Sequence, residues 1–136
     1  TKDQKDIIEK NVEEIGIINN SNEEIRKNYS FYKLRYEDPK LALAGLRIEL
    51  ESTLEKIMKK NQLMSTSRFS GIRKMAIILS ENKIISNSEY ALILDITGIL
   101  NNAVHGKLDS YDSRNFDLVF NTGLKLLTSL NNKLKE

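Results

Sequence analysis

The stretch Asp38–Lys60, DPKLALAGLRIELESTLEKIMKK, decides the fold. Asp38 can accept backbone N–H bonds as an N-cap, and Pro39 sits at the first helical position, where its missing donor costs nothing. Lys59 and Lys60 then place positive charge at the C-terminus, as the helix dipole favours. The segment therefore predicts one long amphipathic helix. Its apolar stripe consists of Leu43, Leu46, Leu50, Leu54, Ile57 and Met58.

Helical periodicity continues on both sides of this segment. Ser21 with Glu24 and Ser86 with Glu89 each form the capping-box pattern that marks a helix start. Six glycines and one proline leave few breaks, and no strand-like alternation is present. The further predicted helices are about 3–18, one from Ser21, a short one opening at Ser70 or Gly71, about 87–105, and a last one carrying Phe116 to Leu134.

Short connections favour antiparallel neighbours, so the predicted fold class is all-α, an up-and-down bundle of four to five helices. Residues 1–37 are interpreted as an N-terminal helical extension and residues 38–136 as the bundle, in one compact domain overall. A length of 136 residues suits a single domain. The aromatic-rich segment 29–36 is ambiguous from its pattern alone.

Composition excludes several classes of protein. With 40% hydrophobic and 29% charged residues, the chain is too apolar for disorder and too polar to span a membrane. A net charge of +2 is weak for an electrostatic nucleic-acid binder. With no cysteine and one histidine, we expect no bound metal, no cofactor and a cytoplasmic location. Because the chain starts at Thr1 without a signal-peptide pattern, we expect it to be a piece of a larger protein with an unknown upstream domain.

The chemically distinctive stretch is LNNAVHG, residues 100–106. Asn101 lies four residues before His105, so the two side chains share a helical face. A histidine there can act as a general acid or base near neutral pH, and the asparagine can orient a phosphate or a sugar hydroxyl. The alternative is that His105 only caps free carbonyls at the helix C-terminus.

Together, the run DPKLALAGLRIELE at 38–51 and LNNAVHG at 100–106 resemble the HEPN superfamily. The likeness covers about residues 38–134 and is greatest to bacterial HEPN-like domains found in defence or membrane-linked proteins. The resemblance implies a helical bundle that dimerises. Active members are metal-independent endoribonucleases with an Arg-polar-x-x-x-His motif near the dimer interface. By position, His105 matches the family histidine and Asn101 the polar residue.

One position departs from the family pattern. The family arginine, which would hold the scissile phosphate and stabilise its growing charge, falls on Leu100. Because leucine can do neither, we expect no catalysis unless Arg73, Lys107 or Arg114 replaces the missing cation in space. Asn102 beside the motif is a further candidate for binding.

Two other sets of residues allow a functional and a plain interpretation. Arg47 and Glu51 match the arginine and glutamate of the family's long helix, and they either form a surface ion pair or orient His105. Basic residues around the 61–70 loop either touch nucleic-acid phosphates or are solvated surface. These are Lys59, Lys60, Arg68, Arg73 and Lys74. Four aromatic residues either stack on bases or pack one end of the bundle. These are Tyr29, Phe31, Tyr32 and Tyr36.

Three functions follow from this pattern. The first is a non-catalytic HEPN-like module for dimerisation, sensing or association with RNA, in bacterial defence. The second is a metal-independent endoribonuclease that uses His105 with a relocated basic residue. The third is a structural domain of a larger membrane-linked protein. A homodimer is the expected partner arrangement, with RNA as a further partner.

Overall fold

The computed structural model describes residues 7–8, 29–63, 71–104 and 113–136, without the side chains of 103–104 and 113–115. Five helices lie within these residues, and no strand occurs among them. The helices are α1 (Ser30–Lys33), α2 (Pro39–Lys60), α3 (Ile72–Glu81), α4 (Asn87–Val104) and α5 (Ser113–Leu134). The predicted all-α helical bundle is confirmed.

Helix α2 begins where its local signals predict. The Oδ1 atom of Asp38 accepts a hydrogen bond from the backbone N–H of Leu41 at 3.1 Å, and Pro39 is the first helical residue. An N-cap of this kind stabilises a helix by about 1 kcal/mol. All six residues of the predicted stripe are buried, together with Ala42 and Thr53. Helix α2 packs against each of the other four helices and is therefore the central element.

Two glycines let neighbouring segments approach α2 closely. A Cβ added at Gly45 would lie 2.6 Å from the Cβ of Phe31, and one added at Gly123 would lie 2.5 Å from Cδ2 of Leu46. Both distances are well below ordinary van der Waals contact. The first glycine brings α1 onto α2, and the second brings α5 onto α2.

Helices α2, α3 and α5 end at the same end of the bundle, where α4 begins, since residues that follow each of the three line one shared cavity there. The Nζ atom of Lys60 donates to the carbonyl oxygens of Lys133 and Glu136, at 2.6 Å each. The capping box at the start of α4 is confirmed, because Ser86 N–H donates to Glu89 Oε1 at 2.9 Å and Glu89 N–H donates to Ser86 Oγ at 3.1 Å. Polar contacts between chain segments thus add to the packing of buried apolar residues at this end, among them Ile57, Leu79 and Leu130.

Glu89 is the buried charge of this end, with 3% of its surface exposed. Its carboxylate also pairs with the Nζ of Lys133 at 3.1 Å and accepts a hydrogen bond from Ser129 Oγ at 2.8 Å. A buried carboxylate is tolerated when its oxygens are paired and hydrogen-bonded, as they are here. Glu89 thus links the start of α4 to the last turns of α5.

Several predictions for the N-terminal part fall largely outside the described residues. Of the predicted helix 3–18, only Ile7 and Ile8 are described, and both are helical. Ile8 is 1% exposed and belongs to the core. The helix predicted from Ser21 lies outside the described residues. Within the described part of the chain, no helix is both long enough and apolar enough to cross a bilayer.

Candidate functional site at the junction of α2 and α4

The junction of α2 and α4 contains three of the predicted site residues in one connected group. The Nε atom of Arg47 on α2 donates to Oδ1 of Asn101 on α4 at 3.0 Å. A second nitrogen of the same guanidinium, Nη1, lies 3.5 Å from Oε2 of Glu51. The structure therefore brings together Arg47, Glu51 and Asn101, which are separated by up to 54 positions in the sequence.

The geometry of this group follows from the helices that carry it. Arg47 and Glu51 are one turn apart on α2, so their side chains lie side by side. Their side chains are 35% and 38% exposed, so the ion pair is partly solvated and contributes about 1 kcal/mol at most. The planar guanidinium can donate in two directions at once, which lets it bind a carboxylate and an amide oxygen together.

Leu100 lies on the side of α4 that faces the core. Its side chain is fully buried, with an exposure of 0%. Asn101, the next residue, is exposed at the surface. Position 100, where the resemblance places an arginine in the family pattern, therefore faces the packed interior, whereas position 101 reaches the surface.

The other predicted site residues divide into two groups. Asn102 is exposed beside Asn101, and Arg73 is exposed on α3. His105 and Lys107 lie outside the described residues, and the side chain of Arg114 is not described. That Arg73, Lys107 or Arg114 places a positive charge beside His105 therefore stays a prediction.

The basic residues around the 61–70 loop are only partly described. Lys60 is engaged with the carbonyl oxygens at the end of α5, which offsets the negative end of that helix. Lys59, Arg73 and Lys74 are exposed, and Arg68 lies outside the described residues. Lys60 at least has a structural role that its position in the sequence does not indicate.

Three of the four aromatic residues pack the bundle, as the plainer interpretation holds. Tyr29, Phe31 and Tyr32 pack against the core, and the ring of Phe31 meets Phe120 edge-on at a centroid distance of 5.9 Å. Tyr36 is different, because it is 67% exposed. The guanidinium of Arg35 lies 3.7 Å from the ring centroid of Tyr32 and 4.5 Å from that of Tyr36.

Sequence reasoning did not find the contact between Arg47 and Asn101. No local pattern indicates it, because it joins two helices that are distant in the sequence. It also passed over two exposed apolar residues of α2, Leu41 and Ile48, which lie outside the predicted stripe. Their spacing of seven residues was the available signal, since it places them on one helix face.

Comparisons with protein-family models, curated proteins and solved structures give no match to this chain. Among the described residues, no group of three or more imidazole, thiol or carboxylate side chains is arranged to hold a metal ion.

Proposed function

We propose that this chain is a non-catalytic HEPN-like helical module that acts by associating with a second copy of itself. The observation that carries the proposal is the placement of cations at the motif helix. The position of the family arginine holds a fully buried leucine, Leu100. The guanidinium beside the motif, that of Arg47, is already bound to Glu51 and Asn101.

A phosphate clamp needs a positive charge that is free to meet the developing negative charge of the transition state. Recruiting Arg47 for that role would require RNA to compete with the Glu51 carboxylate and to displace the amide oxygen of Asn101. Loss of such a clamp normally removes several kcal/mol of transition-state stabilisation. The contacts of Arg47 therefore support a binding role for this surface rather than cleavage.

The first experiment measures cleavage of single-stranded RNA without metal by the wild type, His105→Ala and Arg47→Ala. We expect no cleavage above background from any of the three proteins. Cleavage by the wild type that falls at least ~100-fold in both variants would overturn the non-catalytic proposal.

That outcome would favour a second candidate, a metal-independent ribonuclease in which Arg47 takes the place of the missing arginine. The 3.0 Å bond between Arg47 and Asn101 is the observation in its favour, because Asn101 occupies the polar position of the motif. In this case Arg47→Lys should also be impaired, since a lysine cannot reproduce the fork of donors. Retention of full activity in Arg47→Lys would argue against Arg47 as the relocated cation.

The second experiment measures the mass of the full chain in solution over a range of concentrations. We expect a dimer that dissociates on dilution. A strictly monomeric mass at high concentration would contradict association as the function, whatever the cleavage assay gives. Because a homodimer has one self-complementary interface, the dissociation curve should fit a single monomer–dimer equilibrium.

A further inference from the structure

The face of α2 that points away from the core carries a short apolar strip. Leu41 is 52% exposed and Ile48 is 65% exposed, and half-buried Ala44 lies between them. Residues three, four and seven positions apart share one side of a helix, so the three side chains form one continuous surface. They lie outside the core cluster, and contact with another molecule would remove their apolar surface from water.

A hollow lies at the N-terminal half of this strip. It has a volume of about 290 Å³ and is lined by Asp38, Lys40, Leu41 and Ala44. The hollow is shallow and open to solvent, and Ile48 is exposed on the other half of the same strip. In a pair of copies, Ile48 of each chain could therefore lie against the hollow of the other chain.

Charge is also distributed unevenly along this face. Lys40 is exposed at the N-terminal end of the strip, and Glu51, whose carboxylate also pairs with Arg47 of the same chain, is 38% exposed at the other end of the strip. If a second α2 ran antiparallel across the first, Lys40 of each copy would face Glu51 of the other. Opposite charges placed in this way select the orientation of partners and disfavour the parallel one, in which like charges would meet.

The apolar and the charged contacts require the same alignment. The midpoint between Lys40 and Glu51 and the midpoint between Ile48 and the Leu41–Ala44 hollow both fall close to Gly45. We propose that a second copy of this chain binds to the exposed face of α2, with its own α2 antiparallel and each Ile48 seated beside Leu41 and Ala44 of the other copy. This inference rests on the association proposed above and specifies its surface.

The neighbouring helix enlarges the surface. The bond between Arg47 and Asn101 joins the α2 face to the exposed side of α4, where Gly98 and Asn102 are also exposed. A stable dimer buries roughly 800 Å² per partner, more than three side chains of α2 provide. We therefore expect the strip to form the centre of the interface and the exposed side of α4 to form part of its rim.

Cross-linking tests the orientation directly, because the natural chain has no cysteine. In the full chain, Ala44→Cys places one thiol close to the two-fold axis, and a short thiol-to-thiol cross-linker should give a covalent dimer. Lys59→Cys lies on the same exposed face, but in the antiparallel pair its two copies are roughly 40 Å apart. We expect cross-linking of the first variant and none of the second.

A substitution pair tests the surface itself. Ile48→Asp should raise the dimer dissociation constant by roughly tenfold or more, since each dimer loses two apolar contacts and gains two desolvated charges. The matched control is Ile77→Asp, at an exposed isoleucine of α3, which should leave the constant unchanged. Lys40→Glu should weaken the dimer, because the new carboxylate would face Glu51 of the other copy.

The outcomes separate this inference from the proposed function. A wild-type monomer at high concentration overturns both. If the wild type is a dimer but Ile48→Asp leaves the dissociation constant unchanged, or if Lys59→Cys is cross-linked, only the antiparallel α2 interface is overturned. Association through another face then remains. Circular dichroism of each variant confirms that the helical fold is kept. If Ile48→Asp fails to fold, the cross-linking pair decides alone.

Discussion

Leu100 and Asp95 lie five residues apart on α4 and differ in how deeply their side chains are buried. Leu100 is fully enclosed by the core, whereas Asp95 is an acidic residue in a half-buried position. Burial raises the pKa of the Asp95 carboxyl above its usual value. The effect of a substitution on stability at either position therefore depends on how far the side chain is removed from water.

The first prediction concerns Leu100→Arg, which introduces the arginine that the HEPN resemblance would place at this position. Because the side chain points into the core, the guanidinium would be buried without a partner, and the free energy of unfolding should fall by about 3–5 kcal/mol. Chemical denaturation measures this change. Leu100→Met, which keeps the volume, should cost less than about 1.5 kcal/mol. Equal stability of the arginine variant and the wild type would show that this position can reach solvent.

The second prediction concerns the pH dependence of stability. Since desolvation raises the pKa of Asp95, the folded state binds its proton more tightly than the unfolded state does. This residue therefore disfavours folding above its raised pKa, and the penalty disappears as the pH falls below the ordinary value of about 4. Asp95→Asn should raise the melting temperature at pH 7 and leave it unchanged near pH 2.5. A larger difference at low pH than at neutral pH would contradict this sign.

At the scale of the helices, the ends of α2 and α3 share one unusual feature. The residues after their C-caps, Gln62 and Lys83, both have a φ of +58°. The backbone N–H groups that follow close back onto the helices, from Leu63 to Met58 O and from Ile84 to Leu79 O, at 2.9 Å each. This is the hydrogen bonding of a Schellman motif, in which glycine is the preferred residue at the left-handed position.

The third prediction compares the same substitution at two exposed lysines. Lys83→Gly should raise the free energy of unfolding by about 1 kcal/mol, because glycine relieves the cost of the left-handed conformation. Lys74→Gly lies within α3 and should instead lower it by roughly 1 kcal/mol, the usual cost of glycine inside a helix. Thermal and urea denaturation of both variants measure the difference. The same sign at the two sites would refute the role given to the backbone of Lys83.

Sequence signals and helices agree where the signals are local. The start of α2 was predictable because Asp38 and Pro39 act on the residues next to them, and the burial of its apolar stripe followed from helical spacing. The short α1 was not predictable, since the aromatic segment around Tyr32 is held by packing against residues far along the chain. The bond from Arg47 to Asn101 escaped prediction for the same reason: it depends on how two helices pack.

At the scale of the whole molecule, Glu89 connects the start of α4 to the end of α5. Its partners come from the α3–α4 connection and from two turns of α5, namely Ser86, Ser129 and Lys133. A buried carboxylate that loses its counter-charge is strongly destabilising. We therefore expect this one residue to couple the start of α4 to the end of α5 in the unfolding transition.

The fourth prediction tests that coupling. Lys133→Met should lower the free energy of unfolding by about 2–3 kcal/mol, since it leaves the carboxylate of Glu89 buried without its cation. Lys135→Met, at an exposed lysine two residues away, should change it by less than about 0.5 kcal/mol. Denaturation monitored by circular dichroism measures both. Similar values for the two variants would mean that the pair with Glu89 contributes little.

The hydrogen bond between the guanidinium of Arg47 and the amide of Asn101 also gives the molecule a built-in reporter. Its Nε–H is held by an acceptor on another helix, so the proton should exchange with water more slowly than that of a free arginine and give a resolved NMR resonance. Any molecule that occupies this junction, whether a nucleotide or a protein surface, has to displace that acceptor or alter its position. A titration followed at this single resonance would therefore detect a binding partner before its identity is known.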